Sequence, residues 1–374
     1  MGGLNFHLQL SFEDGVAWMV RVKRFNVSSP PPALRDHIMC SEVATMRFLA
    51  ERTGVPVPKV YDFALEGDGG NEVGVGYIMM EKLAGSALQY KWPEMSTEQK
   101  TQILDQLADI FIEFGKHTFD KCGALFPDSP RSNDPGSVHI GPLAAECWTD
   151  FDDTTGEMLP LGPYSSPEEL PTAHVKLNLN LIRRQELYPR AHALDAYLAH
   201  RFILDLVPRV FGPQDSNLKD DGSRFFIKHA DDKGDHILID EALNITGIID
   251  WEYAYTAPAR AAFILPYTLI PADTFFNGVT APSEDEVMFA DILARKGAGQ
   301  IGESVRNGRA QQLFWYCVGM DFRADWEGFK GLFKGLRGIT GVDAGLEWEE
   351  WKEVARERYA DDQWLKEVLA RQMA

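Results

Sequence analysis

The fold is most constrained by residues 229–252, which read HADDKGDHILIDEALNITGIIDWE. Two short isoleucine-rich runs, 237–239 and 245–249, are separated by a polar segment, which predicts a β-hairpin. A hairpin brings the residues before its first strand close to those after its second, so Asp231 and Asp250 are predicted to face one small volume. Two converging carboxylates can hold a divalent cation, or divide into a base and a metal ligand. A solvated polar loop beside a buried hairpin is the competing interpretation of this stretch alone.

The net charge of the chain argues against two classes of partner. The 374 residues include 56 acidic and 37 basic side chains, which gives a formal net charge of −19. Nucleic acids and anionic membrane surfaces both select a basic footprint, so neither is expected as the main partner. The acidic balance leaves room for a cationic small molecule.

The cysteines and the apolar runs predict a cytoplasmic protein. No apolar run approaches the length that spans a bilayer, and the N-terminus lacks a secretory apolar segment. The four cysteines have neither CxxC nor other metal-binding spacing, which is typical of free thiols in a reducing compartment. They are Cys40, Cys122, Cys147 and Cys317.

Residues 1–83 are predicted to form a small β-rich lobe. Residues 6–12 alternate between polar and apolar, a turn follows, and residues 16–22 alternate again, so a hairpin is expected. On its second strand Arg21 and Lys23 share one face, and apolar residues share the other.

The helix predicted over residues 33–53 carries a carboxylate on its apolar stripe. Glu42 lies on the same face as Ile38 and Met46. A buried unpaired charge is costly, so Glu42 there needs a cationic partner, which the basic residues of the neighbouring strand can supply. A small rotation of the helix would instead place Glu42 in water, and both interpretations stay open at this point.

Residues 84–374 are predicted to form a second, mostly helical lobe. A buried strand over 73–83 leads into it, and Ser96 with Gln99 forms a capping box that opens its first helix. The segments 127–171 and 212–224 are rich in turn-forming residues and are expected to be irregular. Further helices are predicted over 191–210, 287–295, 311–326 and 348–373.

The order of these features resembles a known family. A β-rich lobe with a basic residue, a helix with a buried glutamate, a helical lobe, HADDKGDH (229–236) and IIDWE (248–252) follow one another. This order resembles the aminoglycoside phosphotransferase and choline kinase-like group of the protein-kinase-like superfamily over nearly the whole chain. The resemblance implies a bilobal α+β fold with a small β-rich N-terminal lobe and a larger, mostly helical C-terminal lobe. It also implies ATP-dependent phosphorylation of a hydroxyl group on a small molecule.

The resemblance assigns roles to individual residues. Asp231 takes the catalytic-base position, and Lys233 takes that of the catalytic-loop lysine. Asp250 takes the place of the metal-binding aspartate. Arg21 would hold the nucleotide phosphates, with Glu42 as its ion-pair partner.

The nucleotide-binding assignments include one open choice. Backbone groups from Glu81 to Leu83 would contact adenine, and the implied cofactors are ATP with Mg²⁺ or Mn²⁺. Lys23 competes with Arg21 for the phosphate role. His229 is interpreted as a residue that braces the loop. Contacts to the acceptor are expected from the two irregular segments.

Two departures from the family pattern concern activity more than fold. His236 lies five residues after Asp231, where the family has a metal-binding asparagine, and imidazole matches Mg²⁺ poorly. His236 could hold a softer metal, weaken one metal site, or mark a chain that has lost catalysis.

The glycine-rich turn over the phosphates would lie at residues 1–3, so the first strand of the small lobe is predicted to be missing. A pseudokinase that binds nucleotide or a partner is therefore the alternative function, ahead of a metal hydrolase, whose motifs do not match.

Overall fold

The computed structural model describes residues 5–24, 29–128, 134, 136–212, 224–231, 234–319 and 325–373. The predictions for Lys233, for the turn at residues 1–3 and for most of the 212–224 loop lie outside these ranges.

A four-stranded antiparallel sheet lies in the N-terminal part of the chain. Its strands are β1 (Asn5–Ser11), β2 (Ala17–Lys23), β3 (Val60–Ala64) and β4 (Tyr77–Glu81), in the order β1-β2-β4-β3. The turn between β1 and β2 contains Gly15 at φ 86°, a conformation that glycine adopts without steric cost. Arg21 lies opposite His7 of β1 and Ile78 of β4. Arg21 therefore projects from an inner strand of the sheet.

Helix α1 (Pro32–Arg52) buries its glutamate. Proline at its first position suits the helix, because the ring fixes φ and the missing N–H would have had no partner there. Ile38 and Met46 are each 1% exposed, and Glu42 is 2% exposed. The rotation that would have placed Glu42 in water is therefore excluded.

The remainder of the chain is mostly helical. Helix α2 begins with the predicted capping box, in which Ser96 and Gln99 each accept from the other's backbone N–H. The helices are α2 (Thr97–Lys116), α3 (Glu169–Arg184), α4 (Ala193–Phe211), α5 (Ala259–Ala262), α6 (Ala272–Phe276), α7 (Glu284–Arg295), α8 (Gly299–Asn307), α9 (Arg309–Gly319), α10 (Trp326–Thr340), α11 (Trp348–Arg358) and α12 (Gln363–Met373). This arrangement confirms the predicted α+β fold, with a β-rich N-terminal part and a larger helical part after it.

Short strands lie between these helices and form small antiparallel sheets. They are β5 (Ser86–Ala87), β6 (Ala124–Pro127), β7 (Val138–Gly141), β8 (Thr149–Phe151), β9 (Met158–Pro160), β10 (Phe225–Lys228), β11 (Ile237–Ile239), β12 (Ile245–Ile248) and β13 (Tyr255–Pro258). The pairs are β6 with β7, β8 with β9, β10 with β13, and β11 with both β12 and β5.

The segment 127–171 differs from the predicted irregular excursion. It contains the β8–β9 hairpin, most of the β6–β7 hairpin and the start of α3, none of which the sequence analysis predicted. Strands of three or four residues are too short for their alternation to be distinguished from the turn residues around them. Backbone bonds between distant residues hold them, such as that from Leu143 N–H to the Leu161 carbonyl at 2.8 Å.

Two of the predicted C-terminal helices are each divided in two. The segment 311–326 falls into α9 and the first residue of α10, and Asp325 caps α10 by accepting from Gly328 N–H at 2.9 Å. The segment 348–373 is divided between α11 and α12, where Asp362 accepts from Trp364 N–H at 2.9 Å. A side chain that accepts from the first free amides of a helix favours a new start there, even where the apolar period continues.

The boundary between lobes near Leu83 remains a prediction. Immediately after it, β5 pairs with β11. The chain therefore joins the hairpin of the polar stretch as soon as it leaves β4.

Across the described ranges, no helix is long and apolar enough to cross a membrane. All four cysteines are free thiols.

Candidate active site

The polar stretch folds into the hairpin that the sequence predicted. Strands β11 and β12 pair antiparallel, with Ile237 opposite Ile248. Asp240 closes the turn, since its two carboxylate oxygens accept from the backbone N–H of Asn244 at 2.8 Å and from its side-chain amide at 2.9 Å. The segments before β11 and after β12 consequently meet at the opposite end.

Two histidines fix the backbone at that end of the hairpin. His229 Nε2 donates to the Ile249 carbonyl at 2.9 Å, and Ile249 N–H donates to the His236 carbonyl at 2.9 Å. Both imidazoles are buried, and they stack with centroids 4.1 Å apart and planes inclined by 22°. Because Asp250 follows Ile249 directly, the histidine pair determines where the Asp250 side chain starts.

Asp250 and Asp231 both lie at this end. Asp250 has φ 61°, which is uncommon outside glycine, and its side chain is 48% exposed. The pKa of Asp250 is raised by the burial around it; Arg21 opposes the rise, while the charges of Glu252 and Asp231 add to it. The bond from His229 to the Ile249 carbonyl holds the loop that contains Asp231 against the end of the hairpin.

Arg21 connects two carboxylates from different elements. Its Nη2 donates to Glu42 Oε2 of α1, and its Nη1 donates to Asp250 Oδ1 at 3.2 Å. Burial alone would lower the pKa of Arg21, but Glu42, Glu252 and Asp250 raise it, so the guanidinium stays charged. A planar guanidinium presents several donors in a fixed fork, so one side chain can hold both carboxylates.

The charge of Glu42 is sensitive to pH near neutrality. Burial raises the pKa of Glu42 to about 7, and the charges of Glu252 and Asp250 add to the rise, while Arg21 opposes it. The Arg21–Glu42 contact is therefore a full ion pair only when Glu42 has lost its proton.

Lys23, the competing phosphate-binding residue, has a different partner. Its Nζ donates to Glu252 Oε1, while Glu252 Oε2 accepts from the amide of Asn5 at 3.5 Å. Burial acts to raise the pKa of Glu252, but Arg21 and Lys23 outweigh it and the pKa is lowered. The Glu252 side chain is only 5% exposed, so Lys23 is held in a closed ion pair.

No role was predicted for Glu252, although the sequence contains a signal for it. Arg21 and Lys23 lie two positions apart, and so do Asp250 and Glu252. Two cations at a two-residue interval facing two carboxylates at the same interval predict two parallel pairs. The signal is difficult to recognise because the members of each pair are separated by 229 residues along the chain.

The connector residues lie between the sheet and the hairpin. Glu81 N–H donates to the Lys59 carbonyl at 2.9 Å, and Leu83 packs on β12 at Gly247. A Cβ at Gly247 would lie 2.4 Å from Leu83 Cδ1, so the Leu83 side chain would have to shift to admit a larger residue there. Leu83 N–H makes no hydrogen bond to any residue in the described ranges. The adenine contact expected from Glu81 to Leu83 remains a prediction.

The state of the His236 ring bears on its predicted metal role. Gly234 N–H donates to His236 Nδ1 at 3.2 Å. A neutral ring with Nδ1 as acceptor carries its hydrogen on Nε2 and presents no lone pair there. In the part of the chain that the structure describes, no three His, Cys, Asp or Glu side chains are grouped as metal ligands. The metal role of His236 remains a prediction, and it requires this hydrogen bond to break.

The carboxylates fit a hard cation better than the histidine does. Mg²⁺ prefers oxygen ligands and is commonly held by one or two carboxylates together with phosphates and water. Asp250 offers such a carboxylate on the exposed surface at the end of the hairpin, and Asp231 lies two residues past His229, which is bonded to Ile249. These residues would hold a magnesium ion that also binds nucleotide phosphates.

Comparison with known proteins identifies the family. The model of the phosphotransferase enzyme family matches residues 13–263, which is more than half of the chain and includes Arg21, Glu42, Asp231 and Asp250. The chain therefore belongs to the phosphotransferase enzyme family.

Individual relatives match shorter segments. A subtelomeric hrmA-associated cluster protein of Aspergillus fumigatus is 29% identical over 125 residues, which cover 33% of this chain and 23% of that protein. Altered inheritance of mitochondria protein 9 of Candida tropicalis is 37% identical over 92 residues, covering 23% of this chain and 14% of that protein. The matched segments thus span less than a quarter of either relative.

A solved structure is similar over a longer range. A thermostable mutant of the aminoglycoside phosphotransferase APH(4)-Ia, crystallised with AMP-PNP and hygromycin B, covers 92% of this chain at 13% identity. The match covers 93% of that chain, with a TM-score of 0.49.

Proposed function

Because the chain belongs to the phosphotransferase enzyme family, we propose that it transfers the γ-phosphate of ATP to a hydroxyl group of a small molecule. The observation that carries the proposal is the bridge made by Arg21 between Glu42 and Asp250. It unites the sheet, the helix and the end of the hairpin at one charged centre. Phosphoryl transfer depends on such a centre, because its main requirements are positioned phosphates and neutralised charge.

The residues divide the reaction between them. Asp231 accepts a hydrogen bond from the acceptor hydroxyl and takes its proton as the oxygen attacks the γ-phosphorus. The bond from that phosphorus to the β,γ-bridging oxygen breaks, and ADP leaves. Arg21 holds the nucleotide phosphates, Glu42 positions Arg21, and Lys233 contacts the transferred phosphate. A magnesium ion held by Asp250 would neutralise charge on the phosphates when bound.

The acceptor is proposed to be a small molecule that carries a positive charge. The support is the net charge of −19 together with the half-exposed carboxylate of Asp250.

A second candidate is a pseudokinase that binds nucleotide without turnover. The observation in its favour is His236, which replaces an oxygen ligand by an imidazole already bonded to Gly234. With that ligand lost, one of two metal ions would be weakly held.

Nucleotide binding followed by thermal shift distinguishes the two candidates. AMP-PNP is added with Mg²⁺, with Mn²⁺ and with chelator, to the natural chain and to Asp250→Ala. The kinase predicts a shift that depends on the metal and is lost in Asp250→Ala. A shift independent of metal favours the pseudokinase, and the absence of any shift contradicts both.

Turnover tests the assigned base. ATP consumption is measured with a panel of aminated polyols as acceptors, for the natural chain, for Asp231→Asn and for His236→Asn. Loss of the base is expected to lower kcat by about 10²–10⁴-fold while AMP-PNP binding is kept. Turnover that survives in Asp231→Asn would remove Asp231 from this role. If the histidine limits activity, His236→Asn turns over faster.

A further inference from the structure

The first strand of the N-terminal sheet has one free edge. In the order β1-β2-β4-β3, β1 pairs with β2 on one side, and no other strand within the described ranges pairs with it on its other side. Asn5 is buried, and all of the residues 6–11 are exposed. The edge therefore presents unpaired backbone groups along a strand of seven residues.

The turn after β1 determines which backbone groups point to this edge. Phe12 N–H donates to the Val16 carbonyl at 2.9 Å, so the backbone groups of Phe12 face β2. Successive residues of an antiparallel strand point their backbone groups to opposite sides. Those of Phe6, Leu8 and Leu10 therefore also face β2, and those of the residues between them point to the free edge. The outward residues are Asn5, His7, Gln9 and Ser11.

Strand β1 lacks the features that protect sheet edges from pairing with one another. Such edges usually carry charged side chains, a proline or a bulge, or are very short. The sequence NFHLQLS contains no Asp, Glu, Lys, Arg or Pro, and its register with β2 has no bulge. Burial and the neighbouring Arg21 lower the pKa of His7, so its side chain is neutral near pH 7. The edge is therefore uncharged and can pair with another strand.

The polarity of β1 is symmetric about Leu8. Apolar Phe6 and Leu10 flank the centre on one face, and polar His7 and Gln9 flank it on the other. An antiparallel copy centred on Leu8 would place Leu8 opposite Leu8, Phe6 opposite Leu10, and His7 opposite Gln9. In this register the outward residues of the two strands face one another, so their N–H and C=O groups can bond along the whole strand.

The area of this edge determines how strongly two copies can associate. Phe6, Leu8 and Leu10 are 52%, 56% and 41% exposed and lie on one face of the strand. Together with the backbone edge, pairing would bury on the order of 1,000 Å² over two copies, against about 1,600 Å² in a standard stable interface. An area of this size is typical of a reversible dimer with a Kd of about 10–100 µM.

We propose that two copies of the chain associate through their β1 edges. The strands pair antiparallel about a two-fold axis at Leu8, which is the commonest symmetry of protein dimers. The two four-stranded sheets then form one continuous sheet. The interaction uses residues 5–11 and is independent of the proposed kinase function.

Sedimentation velocity of the full chain measures this association. Each copy carries a net charge of −19, so the buffer is kept at physiological ionic strength to screen the repulsion between copies. The natural chain is expected to shift from 42.0 kDa towards twice that mass as its concentration rises. A chain that remains monomeric at about 300 µM, well above the expected Kd, would overturn the proposal. The edge would then be left to a strand of a different protein.

Gln9→Pro tests the outward backbone groups. Proline is tolerated on an edge strand where its missing N–H would have faced solvent, so the bonds between β1 and β2 are kept. The two-fold axis removes the bond from Gln9 N–H twice, and Kd is expected to rise at least about tenfold. The unfolding temperature checks that this variant is folded. A folded Gln9→Pro that associates like the natural chain would contradict pairing through this edge.

Charged residues at position 8 test the register. Leu8→Lys and Leu8→Glu each bring two like charges together on the axis, so each is expected to raise Kd at least about tenfold. An equimolar mixture of the two variants should recover the dimer, because lysine then faces glutamate. Val279→Lys, at a 43% exposed residue between α6 and α7, is the matched control and should keep the natural Kd.

The Leu8 variants decide the proposal even if Gln9→Pro does not fold, because Leu8 is exposed and tolerates a charge. Self-association of Leu8→Lys and Leu8→Glu at the level of Val279→Lys would place the interface elsewhere. A mixture that stays monomeric while each variant alone is folded would contradict the axis at Leu8.

Discussion

Arg21 and Lys23 lie two positions apart on the same face of strand β2, but their ion-pair partners differ in exposure to solvent. Arg21 and Lys23 share a face of β2, and each donates to a buried glutamate. Arg21 also reaches Asp250, whose side chain is 48% exposed, whereas Lys23 ends at Glu252, which is 5% exposed. The contacts of Arg21 therefore reach the protein surface at Asp250, and the Lys23 pair is closed.

The chemistry of the two cations explains the difference. A guanidinium has donors on several nitrogens in one plane, so Arg21 can hold Glu42 and present another donor to the half-exposed Asp250. An ammonium is a compact charge, and the nearest carboxylate satisfies it. We infer that Arg21 belongs to the phosphate site and that Lys23 fixes the sheet to the segment after the hairpin. Four predictions test this division, from the largest expected effect to the smallest.

Breaking the closed pair should cost the most stability. Glu252→Gln leaves the buried ammonium of Lys23 without its counter-charge, and removing one partner of a buried pair costs about 3–5 kcal/mol. Urea unfolding measures the loss. Glu353→Gln, which breaks the exposed pair with Arg356, serves as control and should cost less than about 1 kcal/mol. A similar small loss in Glu252→Gln would mean that the Lys23 pair is not closed.

The two buried glutamates should give stability opposite dependences on pH. The pKa of Glu42 is raised to about 7, so between about pH 4.5 and 7 the folded chain keeps a proton that the unfolded chain has released. Raising the pH through this window therefore lowers the free energy of unfolding, by at most about 3 kcal/mol at 1.36 kcal/mol per pKa unit. The pKa of Glu252 is lowered, so its contribution is present above its unfolded pKa and is lost as the pH falls below about 4.5.

Matched variants measure these two slopes. The free energy of unfolding is determined from pH 3.5 to 8 for the natural chain, Glu42→Gln and Glu252→Gln. Glu42→Gln should remove the decline between pH 4.5 and 7 and leave the acid limb intact. If the curves of Glu42→Gln and the natural chain run parallel across that window, Glu42 does not titrate there.

Replacing arginine by lysine at position 21 should change KM for ATP, whereas replacing lysine by arginine at position 23 should not. Arg21→Lys keeps the positive charge but loses the planar arrangement of several N–H donors. KM for ATP should therefore rise about tenfold, which corresponds to about 1.4 kcal/mol. Lys23→Arg is the matched control and should leave KM unchanged. Steady-state kinetics separates KM from kcat. An equal rise in KM for both variants would assign both cations to the phosphate site.

Neutralising the half-exposed carboxylate of Asp250 should have the smallest effect on the free energy of unfolding. Asp250→Asn keeps the shape, and asparagine tolerates the positive φ of this position. Because Asp250 is half exposed, the cost should stay below about 1 kcal/mol in urea unfolding. The metal dependence of AMP-PNP binding should nevertheless be lost. A large loss of stability would make Asp250 a structural residue like Glu252.

The local elements of the site were predictable because their signals are local. The two isoleucine runs and the turn through Asn244 predict the β11–β12 hairpin, and the hairpin predicts that its two flanks meet. The 3.6-residue period places Glu42 among Ile38 and Met46, which are buried as expected. The short β6–β9 strands and helix α3 were missed, since contacts distant in sequence stabilise those strands and α3 lay partly within a segment rich in turn residues.

The sequence by itself determined the fold class, the family resemblance and the hairpin, because each depends on periodicity or on the order of motifs along the chain. The helical period alone left open whether Glu42 is buried, and the structure shows that it is. Only the tertiary structure decided which basic residue meets which carboxylate, and that His236 is stacked on His229 with its Nδ1 already engaged. The physical reason is clearest for the two basic residues. Arg21 and Lys23 present the same charge on the same face, so their partners depend on how the sheet lies over residues more than two hundred positions away.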